Sequence, residues 1–272
     1  LKLGVTEIRK INFALKSRFE FDYSEYSFYY SKRQFEAYIQ KCNFRTLDDF
    51  LNHIQGFEHF EETLKEQLLA PENEMFRDPS MWEYLKENIL LKLKNELNPT
   101  IWLPEISTGE ELYTLLIILD EIRLLKQVNI LVSSGSHYHL KRIKAGLVRN
   151  RTFENNEANY KRFNGISDFG SYFDFIDNKV LLQKRLFEKV SFTSSAIFDS
   201  IQVNSLKLVI FRNKMIYYTS NLQNRVLRNI SNNLLLGGHL IIGAKENIGM
   251  NLVELNLDEV NKFEKVYRKV NR

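Results

Sequence analysis

The chain has 272 residues, 44% of them hydrophobic and 26% charged, with a formal net charge of +4; that length holds one large domain, or a medium domain and a small one. Charges of both signs are mixed along the chain, which argues against the concentrated basic stripe of a nucleic-acid binder. Cys42 is the only cysteine, which excludes an intramolecular disulfide and any thiolate metal cluster. No apolar run reaches the roughly 18 residues of a membrane span and no signal peptide opens the chain, so a soluble cytoplasmic protein without membrane insertion is expected.

Residues 1–69 read as a small all-helical domain. Ile8, Ile11, Leu15 and Phe19 recur at spacings of three and four and draw one apolar face. A second helix, SKRQFEAYIQK, is expected to start at a Ser31 cap, with Phe35, Tyr38 and Ile39 inward. A third runs through TLDDFLNHI, where Thr46 and Asp49 have the spacing of a capping box. A fourth is expected over HFEETLKEQLL. Residues 70–84 contain two of the four prolines and read as a linker, with Asp78-Pro79 opening a helix through WEYLKENIL.

From residue 85 to 272 the pattern becomes α/β. Short apolar strands are expected at Ile101–Leu103, Ile130–Val132, Leu208–Phe211 and Leu240–Ile242, with amphipathic helices between them. Near-continuous apolar strands alternating with helices indicate a buried, mainly parallel sheet. Residues 172–193 break this rhythm and read as an inserted antiparallel β subdomain with a hairpin turn at Asp177-Asn178. The tail FEKVYRKV is expected to be an antiparallel edge strand.

In such a sheet ligands bind beyond the carboxyl ends of the strands. The turn after the first strand, PEISTGEELY, offers small residues, which let a backbone approach a ligand, and a helix start with unpaired N–H groups. An ordinary strand-to-helix turn, with acidic residues favouring the helix N-terminus, reads the same way. Dinucleotide, phosphate-loop and zinc-protease motifs are missing, as is a serine nucleophile elbow. The histidines His53, His59, His137, His139 and His239 form no ligand set, and His137 and His139 are expected to be solvated.

Several segments in order resemble the chemotaxis receptor protein-glutamate O-methyltransferase (CheR-type) family: FRDPSMWEYL, ISTGEELY, SSGSHYHLKRIKAGL, VIFRNKMIYY and LQNRVLRNISNNLLLGGHLIIGAKENI. The resemblance implies a Rossmann-like S-adenosylmethionine-dependent methyltransferase domain behind a small helical domain. It implies methyl transfer to glutamate carboxylates in the helical cytoplasmic region of a chemoreceptor or related signalling protein, with no nucleic-acid partner. Carried over by position, Arg77 orients the substrate carboxylate and Tyr217 lies near the transfer centre. S-adenosylmethionine or S-adenosylhomocysteine would contact Asn73, Ile106, Ser107, Gly109, Glu111, Ser134, Ala196, Ile197, Arg212 and Asn213, and no metal is implied.

The departures from the family pattern cluster on the cofactor. Ser134 stands where the family has an acidic ribose ligand, Ala196-Ile197 where it has Asn-Leu, and Pro104, Glu105 and Ile106 where it has small residues. Ala244-Lys245 replaces His-Ser in a Gly-His-Ser-Glu segment, and Lys207 replaces an acid. A lost charged hydrogen bond costs about 1.5–3 kcal/mol. Three readings therefore stand: a carboxyl methyltransferase, a cofactor-poor homologue acting as a protein-binding regulatory module, and a methyltransferase on another substrate such as RNA. Partner contacts would come from the basic patch Lys32, Arg33, Lys41 and Arg45, and from the edge of the 172–193 insert.

Overall fold

The computed structural model describes residues 1–19, 23–57, 60, 74–195, 203 and 205–271. It divides into two compact units, residues 1–70 with 214–227, and residues 71–213 with 228–272.

The first unit holds α1 (Val5–Arg18), α2 (Phe28–Lys41) and α3 (Leu47–Gly56). Ile8, Ile11, Leu15, Phe35, Ile39 and Phe50 are among its buried residues. The Thr46 box is formed: the Asp49 N–H donates to Thr46 Oγ1 and the Thr46 N–H to Asp49 Oδ2, both at 3.1 Å. Arg18 at the end of α1 donates to the Ile54 and Phe57 carbonyls, closing the C-terminal end of α3. Helix α2 begins one turn earlier than expected, at Ser27, and Ser31 is buried inside it. The fourth expected helix lies largely outside the described residues.

The second unit is built on a seven-stranded sheet. Its strands are β1 (Thr100–Leu103), β2 (Asn129–Ser134), β6 (Val190–Ser194), β7 (Leu206–Phe211), β8 (His239–Ile242), β9 (Leu257–Asn261) and β10 (Val266–Lys269). Their order is β6-β2-β1-β7-β8-β10-β9. Pairing is parallel from β6 to β8, whereas β10 runs antiparallel to both β8 and β9. The inner strands are buried on both faces, and for this reason they read as unbroken apolar runs. Helices α4 (Pro79–Asn88), α5 (Glu110–Glu121), α6 (His137–Lys144) and α7 (Phe153–Arg162) belong to the same unit. Helix α8 (Ser220–Asn233) follows β7.

Four boundaries differ from the sequence expectation. Residues 74–84 are no linker, because Met75, Phe76, Met81 and Trp82 are buried in the second unit's core. The tail strand β10 is interior to the sheet, and its edge is β9, whose Asp258, Glu259 and Asn261 are polar enough to read as loop. Residues 214–227 group with the first unit rather than with the α/β domain. The antiparallel insert is a three-stranded sheet of β3 (Leu147–Val148), β5 (Lys179–Leu182) and β4 (Phe173–Ile176), while residues 190–193 pair parallel with β2 in the main sheet. The hairpin itself forms, with Asp177 and Asn178 at φ 47° and 60°, the paired left-handed conformation of a two-residue turn.

Among the described residues no helix is long and apolar enough to cross a membrane. Gly146 joins α6 to β3 at φ +71°, and a Cβ there would lie 2.7 Å from the Leu182 carbonyl oxygen. The Leu182 N–H in turn donates to the Gly146 carbonyl at 2.8 Å. Gly146→Ala should therefore destabilise the protein by about 1–3 kcal/mol, read as a lower urea midpoint; an unchanged midpoint would show that the turn has room for a side chain.

Candidate functional site

The strand order reverses between β1 and β7, and that switch point opens the crevice in which a doubly wound sheet binds ligands. The loop leaving β1 is fixed from below. The Ile106 N–H donates to the Ser133 carbonyl at 3.0 Å, and Trp102 Nε1 to Ser133 Oγ at 3.1 Å. The Ile106 side chain is buried, so this residue holds the loop on β2, and its N–H is not left for a ligand. Gly109 has φ +84°, and a Cβ on it would lie 2.6 Å from Cζ of Tyr113, one turn along α5. Its smallness thus serves the packing of that ring as well as the turn. Ser107, Glu110 and Glu111 are all buried at the start of α5.

Arg212, directly after β7, is 2% exposed. Its guanidinium pairs with Asp78, reaches Glu111 Oε1 at 3.4 Å and the Arg77 carbonyl at 3.5 Å, and stands 5.8 Å from the Trp82 ring centroid. Trp82 Nε1 donates to the same carbonyl at 3.0 Å. The expected cofactor ligands Arg212 and Glu111 are therefore engaged with each other. Removing one partner of a buried ion pair costs about 3–5 kcal/mol, because the other charge is left desolvated.

The segment preceding α4 is held with equal care. Phe76 and Asp78 both have positive φ, 53° and 59°, a conformation that non-glycine residues keep only where the surroundings over-determine it. The Met75 N–H donates to Asn156 Oδ1 at 3.0 Å and the Phe76 N–H to Thr114 Oγ1 at 2.9 Å. The Phe76 ring packs 5.1 Å from Tyr160 and 5.0 Å from Phe163. Between the two strained residues the Arg77 side chain is exposed, with no hydrogen bond or ion pair among the described residues. The backbone leading into it is thus fixed.

Asn213, at φ 59°, closes the β7 end against β8. Glu246 Oε2 accepts from the Asn213 N–H at 2.9 Å and the Gly243 N–H at 2.6 Å. A Cβ on Gly243 would lie 2.5 Å from Asn213 Oδ1. Glu246 ends the segment that resembles Gly-His-Ser-Glu, but nothing in the sequence signals its role as the acceptor joining these two strand ends. Asp78 and Thr114 escaped because their partners, Arg212 and the Phe76 N–H, are far away in sequence, and Trp82 because its partner is a backbone carbonyl.

Ser134 ends β2, buried, and its Oγ accepts from the Ser136 N–H at 3.3 Å. Its hydroxyl hydrogen remains as a donor. Asn73, Ala196 and Ile197 lie outside the described residues. Tyr217 belongs to the first unit, where its ring lies 4.3 Å from that of Tyr30. His137 is exposed as expected, but His139 is buried beside the Ser136 cap. No cluster of metal-binding side chains is found among the described residues.

The electrostatics of the β1 end centre on Glu110. Burial raises its carboxyl from an ordinary 4.5 to about 7; the Thr108 hydroxyl, its own backbone N–H and Arg149 pull it down, and Glu111 adds to the rise. Thr108 Oγ1, Glu110 Oε2 and Arg212 Nε are buried without a hydrogen bond of good geometry among the described residues. Buried polar groups of this kind call for a partner. S-adenosylmethionine, with an ammonium, a carboxylate, ribose hydroxyls and a purine, offers both donors and acceptors, so these residues fit that group.

A family model described as "CheR methyltransferase, SAM binding domain" matches residues 72–262. A Pseudomonas putida protein described as the methyltransferase Cher3 is 25% identical over 97% of this chain and 96% of its own length. A chemotaxis protein methyltransferase of Listeria innocua is 22% identical over 85% and 86%. Among solved structures, the N-methyltransferase NodS of Bradyrhizobium japonicum, in complex with S-adenosyl-L-homocysteine, is 12% identical over 76% of this chain and 94% of that one, with a TM-score of 0.41.

A carboxyl whose folded pKa lies above its unfolded value favours the fold fully below pH 4.5, and loses that contribution as the pH rises through about 7. Glu110→Gln stays uncharged throughout. Its thermal midpoint should exceed that of the wild type at pH 8 and converge with it at pH 4.5; an offset independent of pH would contradict burial as the cause.

Proposed function

The chain belongs to the CheR methyltransferase family, whose matched domain binds S-adenosylmethionine, and from this premise we propose that it methylates glutamate side chains in the helical cytoplasmic region of a chemoreceptor-type protein. The observation that carries the proposal is the contrast between two neighbouring arginines. Arg212 is consumed by Asp78 and Glu111, whereas the Arg77 guanidinium, on a backbone held by its neighbours, has no partner among the described residues. A planar fork of donors on a fixed backbone suits a carboxylate.

A glutamate carboxylate, with a pKa near ~4.3 in water, is already ionised at neutral pH. It needs no general base, and among the residues at this site none is arranged as a base with its own orienting partner. Catalysis is then alignment of a nucleophile that is already competent. The cofactor supplies an activated methyl group on a sulfonium. Ser107 and Thr108 at the β1 end, Ser134 at the β2 end and Asn213 at the β7 end would hold it, with Glu246 fixing the Asn213 backbone. Arg77 would orient the substrate carboxylate, and Tyr217, four residues past Asn213, would border the transfer centre.

A protein-binding module with little cofactor affinity is the reading that Ser134 favours, since its oxygen already accepts from Ser136. A transfer assay separates the two. With methyl-labelled S-adenosylmethionine and receptor-derived helical peptides, the wild type should form base-labile methyl esters. Arg77→Ala should lose about 100-fold in kcat/KM at unchanged thermal stability. Full activity in Arg77→Ala would remove Arg77 from its role, and labelling of RNA in place of peptide would remove the substrate.

A further inference from the structure

We infer that Tyr30 of α2 is a positioning residue that sets the ring of Tyr217. The inference rests on the reading that Tyr217 borders the transfer centre. Its own support is the way residues 214–227 are taken into the first unit.

Immediately after β7 the chain forms a short turn at Met215–Tyr217 and then pairs with the segment leading into α2. Tyr218 bridges antiparallel to Tyr26. The Ser27 N–H donates to the Tyr217 carbonyl and the Thr219 N–H to the Glu25 carbonyl, both at 2.8 Å. The Glu25 carboxylate then gathers Thr219 Oγ1 at 3.2 Å, Asn221 Nδ2 at 3.3 Å and Arg225 at 3.0 Å. On the other side of the turn, Gln223 Nε2 donates to the Met215 and Tyr218 carbonyls. The Tyr217 backbone is thus anchored to the segment before α2 at Tyr217 itself and again at Thr219.

The ring is placed by aromatic contact. The Tyr217 and Tyr30 centroids are 4.3 Å apart with planes 32° apart, a direct ring contact slightly closer than the roughly 4.5–7 Å of ordinary aromatic pairs. Tyr30 is buried and backed by Tyr26 at 5.7 Å, with the Arg33 guanidinium 5.8 Å from its ring centroid. Tyr26 also meets Tyr218 edge-on at 5.4 Å. Tyr217, only half-buried, therefore lies against a supported ring. Burial, with the adjacent Tyr217 hydroxyl, pushes the Tyr30 hydroxyl well above the ordinary tyrosine range, so it stays protonated. The role asked of Tyr30 is that of its ring against Tyr217, which phenylalanine keeps.

The test uses the whole chain labelled with 3-fluorotyrosine, the Tyr217 resonance being assigned by its loss in Tyr217→Phe. Tyr30→Leu should move that fluorine resonance and lower kcat about tenfold, with KM and S-adenosylhomocysteine affinity unchanged. Tyr30→Phe should restore both. An unmoved resonance, an unchanged kcat, or Leu and Phe behaving alike overturns the inference. Should Tyr30→Leu fail to fold, Tyr30→Phe and Tyr30→Trp decide it: the narrow ring keeps the resonance and kcat, the wide one moves them, and equal behaviour overturns it. If the wild type transfers no methyl group, the proposed function fails, while the fluorine resonance still decides whether Tyr30 places Tyr217.

Discussion

The buried guanidinium of Arg212 is the constraint on which the strand-end site depends. A charge withdrawn from water is tolerated only when paired and hydrogen-bonded. Here the members of the network come from three places in the chain: Asp78 and the Arg77 carbonyl before α4, Glu111 in the first turn of α5, and Arg212 itself beyond β7. Trp82 binds the same carbonyl and flanks the guanidinium. One side chain thereby fixes the relative placement of the β1 exit, the β7 exit and the residues that present Arg77.

The consequence is a division of labour between cations and between carboxylates. Arg212 and Glu111 hold the frame, and the Arg77 guanidinium has no hydrogen bond or ion pair among the described residues. Glu246 joins the β7 and β8 ends through two backbone N–H groups, and Glu110 sits buried with a raised pKa. The strained φ values of Phe76, Asp78 and Asn213 flank these same points. Strain gathered around one crevice, and held by hydrogen bonds and rings on every side, is how a fold presets geometry before a ligand arrives.

The strands that face two layers were legible because burial on both sides leaves an unbroken apolar run, as in Leu208–Phe211. The Thr46 box and the Asp177-Asn178 turn were legible because their chemistry is local. Where the sequence misled, a different force governed. Val190–Ser194 alternates because it is an edge strand of the main sheet with one partner, and that pattern imitates an antiparallel strand. Leu257–Asn261 is polar because an edge must discourage further pairing. Of the site, the TGEE turn and Arg77 could be placed through family resemblance. The Arg212 network could not, since its members lie up to 135 residues apart, and nothing in a linear pattern distinguishes an arginine that holds a frame from one that meets a ligand.

The central claim is that this frame still holds an S-adenosyl cofactor although Ser134 stands where the family has an acid. Calorimetric titration of the purified chain with S-adenosylhomocysteine tests it most directly. Saturable one-to-one binding with a Kd between about 1 and 100 μM is predicted, and the absence of heat up to about 1 mM would contradict it.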